Sequence, residues 1–135
     1  MILRAKWVLP ADAPPIENGA VTVEGDSIVA VGPSTGEGRD LGEVVLAPGL
    51  INAHCHFDYP QTIPFRGKFA DWIFDLVAWK KQQTEEGFRA AIAAGIQQAL
   101  DAGTTTVVNI ASLPALVVPS ALRIIWCEEI GRAHV

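Results

Sequence analysis

The sequence predicts an α/β chain of two unlike parts. Residues 1–48 read as a small antiparallel β element, and from residue 49 the pattern becomes the opening units of a parallel (β/α) barrel or open sheet. Three observations carry this reading. Short apolar runs broken by glycine and proline fill the first fifty residues. A strand, a long helical stretch and a β-branched strand then follow in the order of a parallel α/β unit. The chain has 135 residues, of which 50% are apolar, enough for a real core.

In the first part, Ile2–Leu9 is a strand that Pro10 ends. Asn18-Gly19 reads as a turn. Ala20–Glu24 and Ser27–Val31 are short strands, and Gly25-Asp26 between them has the length and glycine of a tight hairpin turn. A glycine-rich loop runs from Gly32 to Gly42. Glu43–Leu46 is the next strand, broken by Ala47-Pro48-Gly49.

The second part opens with Leu50–His54, expected to be a buried strand. A loop over Tyr59–Gly67 leads to Phe69, Trp72, Ile73, Leu76 and Val77, spaced as one stripe of an amphipathic helix. Thr84 can cap a second helix, with Glu85 and Glu86 where the helix dipole favours acid. Gly87 stands where a capping box would place Glu or Gln. Phe88, Ile92, Ile96 and Ala99 continue along one face, and Gly103 sits just past the end as a C-terminal cap. Thr104–Ile110 is β-branched and apolar, hence expected to be buried on both sides. Leu122–Cys127 is one more strand.

Composition narrows the function classes. The net charge is −5 and no Lys/Arg run occurs, so neither nucleic acid nor a membrane surface is an expected partner. The apolar stretches Val44–Ile51 and Thr106–Ile110 are too short to cross a bilayer. Arg4 and Lys6 interrupt any signal-like N-terminus, and the expected location is cytoplasmic. Cys55 and Cys127 read as two buried or half-buried thiols rather than a disulfide framework.

His54 and His56 are two apart at a strand end, so their side chains project from one face. Two imidazoles so placed can converge on one cation at about 2.0–2.1 Å per nitrogen. In a (β/α) barrel, that end of the strand is where active sites lie. On spacing alone, metal ligands and ordinary strand-end polar residues are equally good readings. Cys55 points away from both histidines on an extended strand and is not counted as a ligand.

The run Leu46-Ala47-Pro48-Gly49-Leu50-Ile51-Asn52-Ala53-His54-Cys55-His56 resembles the signature of the amidohydrolase superfamily. There, an apolar-Pro-Gly-apolar-apolar-(Asp/Asn)-x-His-x-His run ends the first barrel strand. "ILRAKWVL", "ENGAVTVEGDSIVAVG", "FRGKFADWIFDL" and "GIQQALDAGTTTVVNI" fit the same pattern, so the resemblance covers nearly the whole chain. It implies an N-terminal β-sandwich part followed by the first units of a (β/α)8 TIM-type barrel, truncated. The implied domains are 1–48, a composite sandwich, and 49–129, the start of a metal-dependent hydrolase barrel. The Arg66-Gly67 pair and the Trp72-bearing helix look most like the aminohydrolase and chlorohydrolase branch.

The resemblance implies His54 and His56 as ligands of a divalent metal, zinc, with Fe²⁺ as the alternative. Water activated by that metal would attack a carbon of a nitrogen-containing ring and expel its amino or other leaving group. The substrate is a small molecule. The full-length parent is the enzyme and could be a homo-oligomer, while this chain alone lacks the later acid/base and metal residues and is expected to be inactive. A cyclic-amide hydrolase of the imidazolonepropionase or hydantoinase type is the alternative, and a non-catalytic homologue a third. The H-x-E and P-C-x-x-C elements of the other zinc deaminases are absent.

Other residues carry less. Asp58 is either a substrate-side contact or a loop cap, with nothing to separate the two. Arg66 could meet an anionic or carbonyl group of a substrate, although a loop arginine is more often a surface residue. Trp72 and Trp79 read as core-facing helix residues rather than a stacking platform. Residues 130–135 match the one-frame translation of a common sequencing adapter and read as a non-native tail. His134 within them is therefore not counted as a ligand.

Overall fold

The structure, a computed structural model, describes residues 1–59, 67–113, 116 and 118–128. It divides into two compact units, Met1–Pro48 and Gly49–Val135. The first unit is one mixed sheet. Strands β1 (Ile2–Val8), β2 (Ile16–Glu24) and β3 (Ser27–Pro33) are followed by the two-residue strands β4 (Arg39–Asp40) and β5 (Val45–Leu46). The order is β3-β2-β1-β4, with β5 also on β1. The hairpin of β2 and β3 turns at Gly25, where φ is +60°, and pairs Glu24 with Ser27.

Two expectations for this unit need correction. The sheet is not purely antiparallel, because β4 and β5 run parallel to β1 after the glycine-rich loop returns the chain to the same edge. Asn18-Gly19 is not a turn either, since both residues lie inside β2. Asn18 takes a left-handed φ of 51°, which asparagine tolerates better than most residues. Gly19 lies so close to Val8 that a Cβ there would come within 2.6 Å of Val8 Cγ2. Asn18 supplies the left-handed backbone and Gly19 lets β2 approach Val8 of β1. Ala5, Val8 and Val21 form the buried centre, with Ile16, Val23 and Leu46 around it.

The second unit holds β6 (Leu50–Cys55), α1 (Phe69–Gln82), α2 (Glu85–Asp101), β7 (Thr104–Ala111) and β8 (Arg123–Glu128). Its three strands lie in the order β6-β7-β8, all parallel. Helix α2 covers one face of β7. Phe88, Ile92 and Ile96 of the helix close with Val107, Phe57, Leu116 and Leu122 into the core. Thr84 caps α2 by accepting from Gly87 N at 3.1 Å, and Gly103 leaves it with φ of 77°.

Burial here is less complete than the sequence pattern suggests. Leu50 and Ile51 are 60% and 71% exposed, so β6 is not a buried strand. Among the described residues it stands at the edge of the three-stranded sheet, with β7 as its one strand neighbour. Strand β7 is closed at Val107, Asn109 and Ala111 only, and its other face is half-buried. In α1, Leu76 alone of the predicted stripe is buried, while Phe69 and Val77 are exposed. Trp79 packs edge-on against Phe88, as a core-facing residue should, and Trp72 is half-buried. Among the described residues, no helix is long and apolar enough to cross a membrane.

Candidate metal centre

The strand that carries the histidines is set in place by its first residues. A Cβ on Gly49 would fall 2.1 Å from Thr105 Cγ2, so only glycine lets the chain enter this close to β7. Leu50 N then donates to Gly103 O at 3.0 Å and starts the pairing. Further along, β6 departs from regular alternation. Asn52 pairs with Val107 and Cys55 with Asn109, so three steps on β6 match two on β7. That is a bulge, a device that re-aims a side chain and is common beside active sites. The Asn52 side chain spans it, its Oδ1 accepting from His54 N at 3.1 Å. This short-range bond is of the kind that Asn and Asp make two residues on.

His54 lies within the bulge and His56 just past it, and their rings stand edge to face with centroids 5.2 Å apart. His54 is exposed and His56 half-buried. Cys55 between them packs against the helix-side core, and its thiol donates to Asn109 Oδ1 at 3.5 Å. Burial and then the charge of Asp58 push the Cys55 thiol up to about 11, so it is neutral at pH 7. Tyr59 stacks on His56 at 4.4 Å between centroids, and Lys80 Nζ sits 4.0 Å from the Tyr59 ring on its way to Ser112 Oγ, 2.5 Å distant.

The loop after His56 is tied to β7 and α2 by buried groups. Asn109, 0% exposed, accepts from Phe57 N at 2.8 Å through Oδ1. Asp58, 1% exposed, accepts from Ser112 N at 3.0 Å through Oδ2. Phe57 wedges against α2 at Gly95, where a Cβ would meet its Cδ1 at 2.6 Å. Of the two readings open for Asp58, the bond from Ser112 N gives the loop-holding one a partner, while the buried Oδ1 of the same carboxylate has no hydrogen bond among the described residues. Arg66 and His134 lie outside the described residues, as does the 130–135 tail.

The described residues contain no group of three His, Cys, Asp or Glu able to surround a metal. His54 and His56 are brought together, and among the described residues no third His, Cys, Asp or Glu joins them as a metal-ligating group. Reasoning from sequence alone missed Asn52, Gly95 and Asn109. Asn52 has a local signal, an Asn two residues before a His. Gly95 and Asn109 have none, because their partners are distant in sequence.

A search of protein families matches the amidohydrolase family over residues 45–122, more than half of the chain. No curated protein matches it in sequence. Solved structures do. Atrazine chlorohydrolase TrzN from Arthrobacter aurescens TC1, complexed with zinc, has a TM-score of 0.70 at 20% identity, covering 94% of this chain and 35% of that one. An adenosine deaminase from Xanthomonas campestris with bound zinc gives 0.65 at 23% identity, covering 85% and 29%. A triazine hydrolase variant gives 0.64 at 22% identity, covering 82% and 28%. This chain therefore spans about a third of the length of the structures it matches. The fold they share with it is a β-sandwich part followed by the opening units of a (β/α)8 barrel. By the family match and the run from Leu46 to His56 within it, the chain belongs to the amidohydrolase family.

Proposed function

We propose that His54 and His56 are the first two metal ligands of a divalent-metal-dependent hydrolase acting on non-peptide carbon–nitrogen bonds, with deamination of a nitrogen-containing ring as its reaction. The observation that carries this is the pair itself: two imidazoles 5.2 Å apart at the C-terminal end of a parallel strand. Active sites of (β/α) barrels lie at that end.

The donor set fits zinc, for which imidazole nitrogen is a common ligand. Two ligands do not make a catalytic site, which usually has three, and the remainder lie outside the described residues. When bound, the metal supplies Lewis acidity and a water nucleophile at neutral pH. The chain's own residues do the positioning. Asn52 holds the bulge that presents His54, and Tyr59 stacked on His56 restricts that ring to one plane. Phe57 against Gly95 fixes the exit of the loop. A ring substrate is in line with the neighbours described as a zinc-bound adenosine deaminase and as triazine hydrolases, which stand beside others described as a Xaa-Pro dipeptidase and an ochratoxinase.

The test is made in the full-length protein. His54→Ala and His56→Ala should each lose zinc, measured by elemental analysis after dialysis, together with hydrolysis of amino-substituted purines or triazines. Retained zinc and activity in both variants would remove these residues from the metal site.

A further inference from the structure

Asn109 is the most deeply buried polar side chain near the histidines, and the proposed mechanism assigns it no part. It lies in the middle of β7 at 0% exposure, a place where an apolar residue would serve the core better unless the amide has a task. One oxygen does two things there. Oδ1 accepts from Phe57 N at 2.8 Å and from the Cys55 thiol at 3.5 Å. Those are the residues on either side of His56. Gripping both from one rigid, fully buried point on the neighbouring strand leaves the backbone at His56 little freedom to turn. The bond to Phe57 also satisfies an amide that the strand ladder does not pair, because β6 ends at Cys55.

We infer that Asn109 is a positioning residue for His56, holding its backbone through Phe57 N and Cys55 Sγ so that the imidazole is aimed beside His54. The inference rests on the proposed metal role of the pair. Asn109 makes no hydrogen bond to either ring and is not a ligand. Asp58, bound to Ser112 N, holds the next residues of the same loop but lies two positions beyond His56, so its grip on that ring is weaker. Outer residues that orient ligands typically change metal affinity ten- to a hundredfold when removed.

The experiment compares Asn109→Leu with Asn109→Asp in the full-length protein. Leucine keeps approximate volume and removes the acceptor, whereas aspartate restores an oxygen at the same place. Two readings are taken: hydrogen exchange at the Phe57 amide in the metal-free protein, and zinc affinity by competition with a chelator. Leucine should speed exchange at Phe57 at least tenfold relative to Val107 and weaken zinc ten- to a hundredfold. Aspartate should recover most of both. Faster exchange with zinc affinity unchanged within twofold would overturn the inference, since Asn109 would then be a purely structural residue. So would unchanged exchange. If the leucine variant fails to fold, Asn109→Ser, whose hydroxyl is too short to reach both partners, gives the same two readings. His54→Ala and His56→Ala run beside them separate the two failures. Zinc unaffected by those histidine variants sinks the metal reading, while the exchange arm still reports on Asn109.

Discussion

Gly95 shows at the scale of a residue how two opposed effects are decided by a distance. In the middle of α2 a glycine costs about 1 kcal/mol relative to alanine, so Gly95→Ala would stabilise the helix taken alone. The added Cβ would fall 2.6 Å from Phe57 Cδ1 and 3.3 Å from its Cβ, so the whole ring would have to move. Overpacking of this kind costs about 1–3 kcal/mol and wins. Gly95→Ala should therefore lower stability by about 1 kcal/mol net in urea unfolding, and it should shift the NMR signals of Phe57 and His56. A gain in stability would mean that the ring yields freely and does not position the loop. No sequence pattern announces this role, since a helical glycine looks the same whether it is tolerated or required. Asp58 makes the same point. Its partner, the amide of Ser112, is 54 positions away, and from local sequence a loop tie and a substrate contact look alike. That the rings of His54 and His56 lie together was legible because their spacing is local.

Elements were legible where their cause is local. Thr84 before Glu85 and Glu86 marks the start of α2, and the side chain does accept from Gly87 N. The missing Glu or Gln at Gly87 leaves this single cap in place, so Thr84→Ala should cost about 1 kcal/mol. Thermal unfolding followed by circular dichroism checks it, and Thr84→Ser should restore most of the loss. An unchanged midpoint for alanine would show that α2 is held by packing alone. Legibility failed where an element depends on what lies beside it. The apolar content of Leu50 and Ile51 predicts burial, but burial needs a neighbour on each side, and among the described residues β6 pairs with β7 alone. The bulge at Asn52–Cys55 was unreadable for a related reason: register is a relation between two strands, and one strand's sequence gives it only when alternation is strict.

For the whole molecule, what matters is how much of a barrel is here. The chain covers 28–35% of the structures that share its fold, and its described residues hold three parallel strands where a barrel has eight. A parallel sheet is normally covered on both faces. Among the described residues, β6 presents an unpaired edge carrying Leu50 and Ile51, and α1 exposes Phe69 and Phe74. An apolar edge strand is a template for pairing with another chain, and apolar patches around it add to the drive. The 135-residue chain made alone should therefore self-associate and bind a hydrophobic dye, as light scattering and fluorescence would show. Zinc should follow the same logic. With two imidazoles and no third ligand among the described residues, the isolated chain should lose the metal on dialysis, whereas the full-length protein should keep it. The two measurements separate cause from cause. A soluble, monodisperse chain without zinc would show that the exposed strand is tolerated and the ligand set incomplete. Zinc held at one equivalent by that same monomer would show that two histidines on this strand suffice, and the argument from an incomplete barrel would fall.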